Sequence, residues 1–198
     1  MFEISNELSY NNMMCQGTKK PDNEQFIEPT SVWFDVVGKE KGNKNHFVDI
    51  QGKKVCELLE RAFASTDTPS IFIISPFTTV VSGIKAYIGK YCKSNPGTHI
   101  NKDYMLDEDR KKIGTVHTFQ GREANEVILL LGCDDSRNAK GAINWVNKNL
   151  VNVAVTRAKY RLYVIGSKET WQSSAPMRVV EEELNKYLFN SLNEPDVD

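Results

Sequence analysis

A run of hydrogen-bonding side chains fills residues 114–123, which read GTVHTFQGRE. The run leaves one expected strand and enters another, so its donors and acceptors are concentrated in a short connection. Gly121 has no side chain and therefore permits a ligand to approach the backbone closely. Two interpretations are open: a ligand-binding loop, or a turn whose polar groups satisfy one another and in which His117 is an ordinary core or surface histidine.

A second candidate segment lies at residues 149–159, which read NLVNVAVTRAK. Its helical spacing predicts one apolar face that contains Val146, Leu150, Val153 and Ala154. Arg157 falls on that same face, where a guanidinium is costly unless an anion neutralises it. The anion is either an internal carboxylate or a ligand phosphate, which the planar donor fork of arginine suits well.

The common nucleotide-binding fingerprints are missing from these 198 residues. There is no G-x-G-x-x-G run of the kind that opens a dinucleotide-binding unit. Residues 38–44 read GKEKGNK, whereas a phosphate-binding loop needs four residues between its glycines and a final Gly-Lys-Ser/Thr. We therefore predict a charged turn there. No acidic pair and no nucleophile–histidine–acid arrangement stands out elsewhere.

The elements that must position these segments alternate between strands and helices. Short apolar or β-branched runs predict strands at 32–37, 70–74, 111–119, 126–132 and 162–165. Helical spacing predicts helices near 2–10, 55–63, 79–93, 143–159 and 176–190, with a polar loop at 134–142. Apolar strands without alternation predict a mainly parallel sheet between helical layers, and hence an α/β fold. We expect the site at the carboxyl ends of the strands, where ligands of such sheets bind.

The composition is that of an ordinary soluble domain. A hydrophobic content of 40% and a charged content of 26% support one well-buried core in 22.5 kDa. We divide the chain into an N-terminal helix and linker at 1–30, a main domain at 31–170, and a closing helix with a polar tail at 171–198. The formal net charge of -1 gives no global basic field, although a local groove that binds a phosphate backbone needs only a few basic residues.

Cysteine usage and hydropathy predict the compartment. The four cysteines form no C-x-x-C pair and have no nearby histidine at zinc-ligand spacing; they are Cys15, Cys56, Cys92 and Cys133. They predict reduced thiols and no metal site. No apolar run approaches the ~20 residues that span a bilayer, and residues 1–3 lack the features of a secretion signal. We expect a cytoplasmic protein with no membrane partner.

The two candidate segments resemble a pair of helicase motifs. Residues 114–123 resemble motif V of superfamily 1 helicases, and residues 153–158, VAVTRA, resemble their motif VI. The spacing and the intervening strand are similar to those of DNA and RNA helicases related to the nonsense-decay helicase. Residues 74–77 resemble the motif IV region, and residues 33–40 resemble the strand that opens the second RecA-like domain. The resemblance covers roughly residues 1–170 and implies a RecA-like P-loop NTPase fold without a P-loop of its own.

The resemblance implies a role for each matching residue of the nucleotide site. Arg157 matches the arginine finger that stabilises the charge of the transferred γ-phosphoryl group. Glu123 matches the acid that hydrogen-bonds the nucleotide ribose, and Gly121 matches the glycine that lets the nucleotide approach. Gln120 and Arg122 line the same loop. The implied cofactor is ATP with Mg²⁺, bound between this domain and a first RecA-like domain.

The resemblance also implies contacts to single-stranded DNA or RNA. Thr115 and His117 match positions that touch the nucleic-acid backbone. Ser75 and Pro76 match positions near the phosphates of the single strand, where small hydroxyls and backbone amides bind without reading sequence. The implied partners are therefore a single strand and the first RecA-like domain.

The sequence also departs from the family pattern. Walker A, the Asp-Glu of Walker B and the glutamine switch belong to the first domain and are absent here. A further arginine normally precedes a stretch like residues 2–6, so we expect the second finger to be missing, and Val80 lies near the usual motif IV glutamine. We expect a C-terminal motor domain that is inactive alone.

Three alternatives remain at this point. The chain is a non-catalytic nucleic-acid-binding or regulatory module with a helicase fold, or an enzyme of another class on a doubly wound sheet. In the third, Arg157 and Glu123 simply pair with each other or with neighbours inside one domain.

Overall fold

The computed structural model describes residues 2–9, 25–42 and 45–193. The strands in these residues are β1 (Val32–Asp35), β2 (Ile71–Ser75), β3 (Ile113–Thr115), β4 (Ala124–Leu130) and β5 (Ala158–Gly166). The helices are α1 (Phe2–Ser9), α2 (Asp49–Ser65), α3 (Thr78–Ser94), α4 (Lys102–Leu106), α5 (Arg137–Trp145), α6 (Lys148–Val155), α7 (Lys168–Trp171) and α8 (Ala175–Asn193). A 3-10 helix, Val116–Phe119, directly follows β3.

The five strands form one sheet in the order β1-β5-β4-β2-β3, and all neighbouring strands are parallel. Because all strands run in the same direction, each connection between strands that are consecutive in sequence must return across the sheet. These connections contain α2, then α3 with α4, then the 3-10 helix, and finally α5 with α6. The sheet lies between helical layers. This is an α/β RecA-like arrangement, and it confirms the predicted fold class.

Both faces of the sheet are buried because alternate strand residues point to opposite sides. One face, covered by α1, α5, α6 and α8, carries Phe72, Ile74, Val127, Leu129, Leu162 and Val164. The other face, covered by α2 and α3, carries Ile71, Ile73, Ile128, Leu130, Tyr163 and Ile165. Two apolar faces explain why the strand sequences show continuous apolar runs instead of alternation.

The strand predicted at 111–119 is wrong beyond Thr115, where the 3-10 helix begins. The backbone turns back tightly, so the Thr118 side chain lies against Gly114. A Cβ atom at position 114 would come within 2.7 Å of the Thr118 Cβ atom, which is closer than side chains approach. Glycine at this position therefore permits the turn that ends β3.

The single helix predicted at 143–159 is also wrong, because Asn147 interrupts it. The Asn147 side chain accepts a hydrogen bond of 3.1 Å from the Leu150 amide and starts α6 as an N-cap. The predicted polar loop at 134–142 largely forms α5, which Ser136 caps in the same way.

The remaining differences concern short elements and the N-terminal segment. Helices α4 and α7 were not expected from the sequence, whereas the helix near 2–10 is confirmed as α1. Ile4 of α1 is fully buried, and Ser5 Oγ donates to Asn152 Oδ1 of α6 at 2.7 Å, so α1 is part of the main core. The linker predicted after α1 lies mostly outside the described residues. Among those described, no helix has the length and apolar character required to cross a bilayer.

Candidate functional site

The two motif-like segments meet at the amino edge of the sheet, where β4 and β5 begin. The strand register pairs Ala124 with Ala158, and the Ala124 amide donates to the Arg157 carbonyl at 3.0 Å. The residues that precede this pair, Glu123 and Arg157, therefore lie side by side. The site was expected at the carboxyl ends of the strands, but Glu123 and Arg157 lie at the amino edge, because the connection from β3 returns across the sheet before β4 starts.

Arg157 follows α6 instead of lying within it, which corrects the expected helical face. Its Nε atom donates to the Val153 carbonyl at 3.0 Å, and its Nη1 atom donates to the carbonyls of Phe119 and Arg122 at 3.3 and 3.2 Å. Its Nη2 atom donates to Thr156 Oγ1 at 3.0 Å. The guanidinium thus joins the end of α6 to the turn that precedes β4.

Every one of these partners is uncharged. No carboxylate among the described residues forms an ion pair with Arg157, so the interpretation of an internal ion pair has no support there. A guanidinium has five N–H donors, and four of them are used in these contacts. One N–H of Nη2 remains for a ligand, and the half-buried positive charge favours an anion.

The turn that contains Gln120, Gly121 and Glu123 is exposed at this edge. Gly121 adopts φ +73°, a left-handed conformation that glycine reaches without strain, and the space beside its Cα atom is open. The side chains of Gln120 and Glu123 have no partner within the described part of the chain. Their donors and acceptors are therefore available to a ligand.

Arg122 differs from its neighbours because its guanidinium is already occupied. It donates to the carbonyls of Arg110 and Lys111 at 2.6 and 3.1 Å. It also lies over the rings of Phe72 and Phe119, at 5.0 and 5.6 Å from their centroids. These contacts join the loop before β3 to the turn before β4, so Arg122 holds the turn in position instead of offering a free charge.

The residues predicted to contact a nucleic-acid strand lie at the opposite, carboxyl edge. The register of β2 and β3 places Ser75 beside Thr115. Ser75 is only 1% exposed and its Oγ atom accepts from the Phe77 amide at 3.3 Å, while Pro76 is buried. Thr115 is half-buried and His117 is exposed. Thr115 and His117 can therefore contact a ligand directly, whereas Ser75 and Pro76 shape the backbone beneath it.

An open groove of about 570 Å³ runs along this part of edge strand β3. It is lined by Thr78, Ser82, Lys85, Lys111, Thr115 and His117 among others. Lys85 pairs with the exposed Glu108 at 2.7 Å, and Lys111 is exposed. Neither lysine was predicted from the sequence as a site residue. The spacing of Thr78, Ser82 and Lys85 on one face of α3 was the available signal.

The structure therefore separates the predicted site residues into two groups. Arg157 and the turn at 120–123 lie at the amino edge, and Thr115 and His117 lie near the carboxyl edge. The length of β4, seven residues, puts about 20 Å between the two edges. The 3-10 helix and the following turn connect one group directly to the other.

The fold and these two edges define a RecA-like domain without a P-loop of its own. A family model described as an AAA domain matches residues 1–169, and the chain belongs to that family. It is a superfamily 1 helicase domain of the group that includes the regulators of nonsense transcripts.

Curated relatives agree with this assignment. The chain is 25% identical over 90% of its length to a putative regulator of nonsense transcripts 1 from Takifugu rubripes, covering 14% of that protein. It is 28% identical over 93% of its length to the DNA polymerase alpha-associated DNA helicase A of Saccharomyces cerevisiae, covering 25% of it. It is 29% identical over 72% of its length to the ATP-dependent helicase upf1 of Schizosaccharomyces pombe, covering 15%. The chain thus spans at most a quarter of these relatives.

Proposed function

We propose that this chain is the second motor domain of an ATP-dependent superfamily 1 helicase and that Arg157 is its arginine finger. The observation that carries the proposal is the position of Arg157 beside Glu123 at the amino edge, with one N–H free and no carboxylate partner among the described residues. The open backbone at Gly121 leaves space for a nucleotide next to them. A first RecA-like domain would cover this edge and close the cleft.

The residues at the amino edge fit ATP in charge and in shape. Bound with Mg²⁺, ATP would supply the phosphoanhydride bond whose hydrolysis drives the motor, and the metal ligands would come from the first domain. Arg157 would stabilise the negative charge that develops on the phosphoryl oxygens. Its contacts to Val153, Phe119 and Arg122 hold the guanidinium in a fixed orientation before the nucleotide binds. Glu123 would accept hydrogen bonds from the ribose hydroxyls, and Gln120 would line the same side.

The groove near the carboxyl edge would hold the sugar–phosphate backbone of single-stranded DNA or RNA. Thr115 and His117 would donate to phosphates, Lys111 would add positive charge, and Ser75 and Pro76 would shape the groove below. Lys85 is paired with Glu108, which lines the same groove, so its charge is largely balanced there. A movement of the turn at 120–123 would reach Thr115 through the 3-10 helix, which is continuous with it. This connection would couple the state of the bound nucleotide to the affinity for single-stranded DNA or RNA.

The test replaces Arg157 with Ala in an enzyme that joins this chain to a first motor domain carrying Walker A and Walker B. We expect kcat for ATP hydrolysis to fall about 10³-fold or more, because an arginine finger acts mainly in the transition state. Arg157→Lys should recover little activity, since lysine lacks the planar fork. Arg178→Ala, which changes an exposed arginine of α8, is the matched control.

Because Arg157 also joins α6 to the turn that precedes β4, the thermal midpoint of each variant is measured in parallel. A folded Arg157→Ala enzyme that hydrolyses ATP at the wild-type rate would contradict the assignment.

The alternative is a non-catalytic module that binds nucleic acid, which the open groove beside Lys111, Thr115 and His117 favours. The two hypotheses differ in the behaviour of the isolated chain. A motor domain should bind a single strand weakly and with strong salt dependence, and should hydrolyse no ATP without its partner. Tight binding that needs no first domain would favour the module instead.

A further inference from the structure

Three side chains with different metal-binding atoms converge where β4 ends. Glu40, His46 and Cys133 come from two distant parts of the sequence, and their ligand atoms all lie within 4.8 Å of one another. His46 Nδ1 is 3.0 Å from Glu40 Oε1. The side chains of His46 and Glu40 are 14% and 4% exposed, and Cys133 is fully buried. The cluster is therefore an enclosed set of nitrogen, oxygen and sulfur donors.

The backbone holds two of these residues in an uncommon conformation. His46 and Cys133 have φ angles of 55° and 65°, and they are two of only three described non-glycine residues with positive φ. The Cys133 amide donates to the His46 carbonyl at 2.7 Å, which fixes the two residues against each other. A conformation that costs of order 1 kcal/mol or more per residue persists only where surrounding contacts or a ligand compensate for it.

We propose that Glu40, His46 and Cys133 bind a zinc ion with three protein ligands and one open position. Zinc prefers this donor set, at about 2.0–2.2 Å for nitrogen and oxygen and about 2.3 Å for sulfur. Tetrahedral coordination places neighbouring ligand atoms roughly 3.3–3.6 Å apart. The His46–Glu40 pair is already close to this separation, and a movement of about 1 Å would bring the Cys133 sulfur into range. Formation of the zinc–sulfur bond would release the thiol proton to solvent.

Charges and hydrogen bonds around the cluster favour a cation. Besides Glu40, the Asp134 carboxylate lies next to the cluster, where its Oδ2 atom accepts from the Glu40 amide at 3.2 Å. Asp134 thereby orients a ligand residue from outside the coordination shell, as second-shell carboxylates do in metal sites. Lys39, a cation near the cluster in the described part of the chain, is exposed and pairs with Asp135 instead. Zinc would neutralise the Glu40 carboxylate and the thiolate that Cys133 forms when it loses its proton to solvent on binding.

The position of the cluster indicates what the ion would do. The His46 ring contacts the Phe77 ring, with 5.1 Å between centroids, and Phe77 lies two residues after Ser75 at the carboxyl edge. A zinc ion would fix the loop before α2 to the end of β4 and thereby rigidify the edge next to the proposed nucleic-acid groove. This inference does not depend on the proposed helicase function, because it concerns ligands that play no part in ATP hydrolysis.

The experiment measures metal binding by the complete chain after removal of metal with a chelator. We expect one Zn²⁺ per chain after gel filtration and an increase of the thermal midpoint by about 5 °C or more at a zinc concentration about 100 times its Kd. Co²⁺ should give the visible bands of a tetrahedral ion together with a thiolate charge-transfer band in the near ultraviolet. That band identifies a cysteine ligand directly.

Two variants locate the site. His46→Asn keeps a residue that tolerates the left-handed conformation, and Cys133→Ser removes the thiolate; each should weaken zinc binding at least tenfold. His99→Asn and Cys92→Ser, which change a histidine and a cysteine elsewhere, should bind zinc as the wild type does. If Cys133→Ser fails to fold, His46→Asn decides the question. Absence of the thiolate band, or wild-type affinity in His46→Asn, would overturn the proposal.

Discussion

The Arg122 guanidinium contacts two aromatic rings and two backbone carbonyls, and these contacts stabilise the fold. The carbonyls belong to Arg110 and Lys111, which precede β3, and the rings belong to Phe72 and Phe119. Hydrogen bonds from a charged donor are worth about 1.5–3 kcal/mol, and contact between a cation and a ring adds about 0.5–1 kcal/mol. Solvent reduces these values here because Arg122 is half-exposed.

Replacement of Arg122 with Ala should therefore lower the free energy of unfolding by about 1–3 kcal/mol, measured by urea denaturation. Arg122→Lys should recover only part of this loss, because a lysine cannot donate to both carbonyls in the same plane. Gln120→Ala is the matched control in the same exposed turn, and its effect should stay within about 0.5 kcal/mol. An Arg122→Ala variant as stable as this control would show that the contacts contribute nothing to the fold.

Residue types alone could identify the turn at 120–123 as part of a candidate binding site, but they could not assign a role to each residue. Arg122 and Arg157 both occur in motif-like segments, and both were expected at the nucleotide site. Only the tertiary contacts distinguish them, since the carbonyls that bind Arg122 come from a loop before β3. The cluster of Glu40, His46 and Cys133 was missed for the same reason. Its ligands are far apart in sequence and match no metal-binding spacing.

At the scale of elements, the break between α5 and α6 depends on one side chain. The Asn147 side-chain oxygen accepts from the Leu150 amide at 3.1 Å and satisfies a donor that the first turn of α6 would otherwise leave free. Asn147→Ala should reduce the free energy of unfolding by about 1 kcal/mol, whereas Asn147→Asp should retain most of it. Asn149→Ala, inside the same helix and exposed, should change stability by less than about 0.5 kcal/mol.

The measurement is again urea denaturation, with helix content checked by far-ultraviolet circular dichroism. Equal stability of the Asn147→Ala and Asn149→Ala variants would show that the cap does not stabilise α6.

The periodicity of the sequence could predict helices here but not the gap between them. Three buried residues on both sides of the cap pack on the same face of the sheet: Ile143, Val146 and Val151. Their spacing therefore predicts one continuous helix. The strands were easier to predict, because β2, β4 and β5 are buried on both faces and carry long apolar runs. Edge strand β3 has three residues, too few to give a pattern.

At the scale of the whole molecule, the direction and register of the strands decide where the site residues lie. The sequence predicted the parallel sheet, but it could not show that the connection after β3 crosses to the amino edge. Pairing of Ala124 with Ala158 brings Glu123 to Arg157, and pairing of Ser75 with Thr115 forms the opposite edge. The two groups of site residues therefore lie at opposite edges of the sheet, and one short connection joins them.

The core that covers both faces of the sheet also encloses ionisable groups whose pKa values are raised in the folded state. These groups therefore stay protonated to a higher pH than in the unfolded chain. Burial raises the pKa of the Cys56 thiol to about 12, and burial together with the Glu126 carboxylate raises the pKa of Tyr163 well above its usual range. In the unfolded chain these groups ionise near their ordinary pKa values of about 8.5–10. Above that pH the unfolded state binds fewer protons than the folded state, so deprotonation favours unfolding.

The free energy of unfolding should therefore be constant below about pH 8.5 with respect to Cys56 and decrease as the pH rises towards 12. One such group contributes a slope of about -1.4 kcal/mol per pH unit. Urea midpoints measured between pH 8 and 11 should show this decrease. Cys56→Ala should make the slope shallower by the contribution of one group, about 1.4 kcal/mol per pH unit. Val55→Ala, at a neighbouring buried position, should lower stability at every pH by opening a cavity without changing the slope. If both variants kept the wild-type slope, the thiol at position 56 would not be the group that resists ionisation.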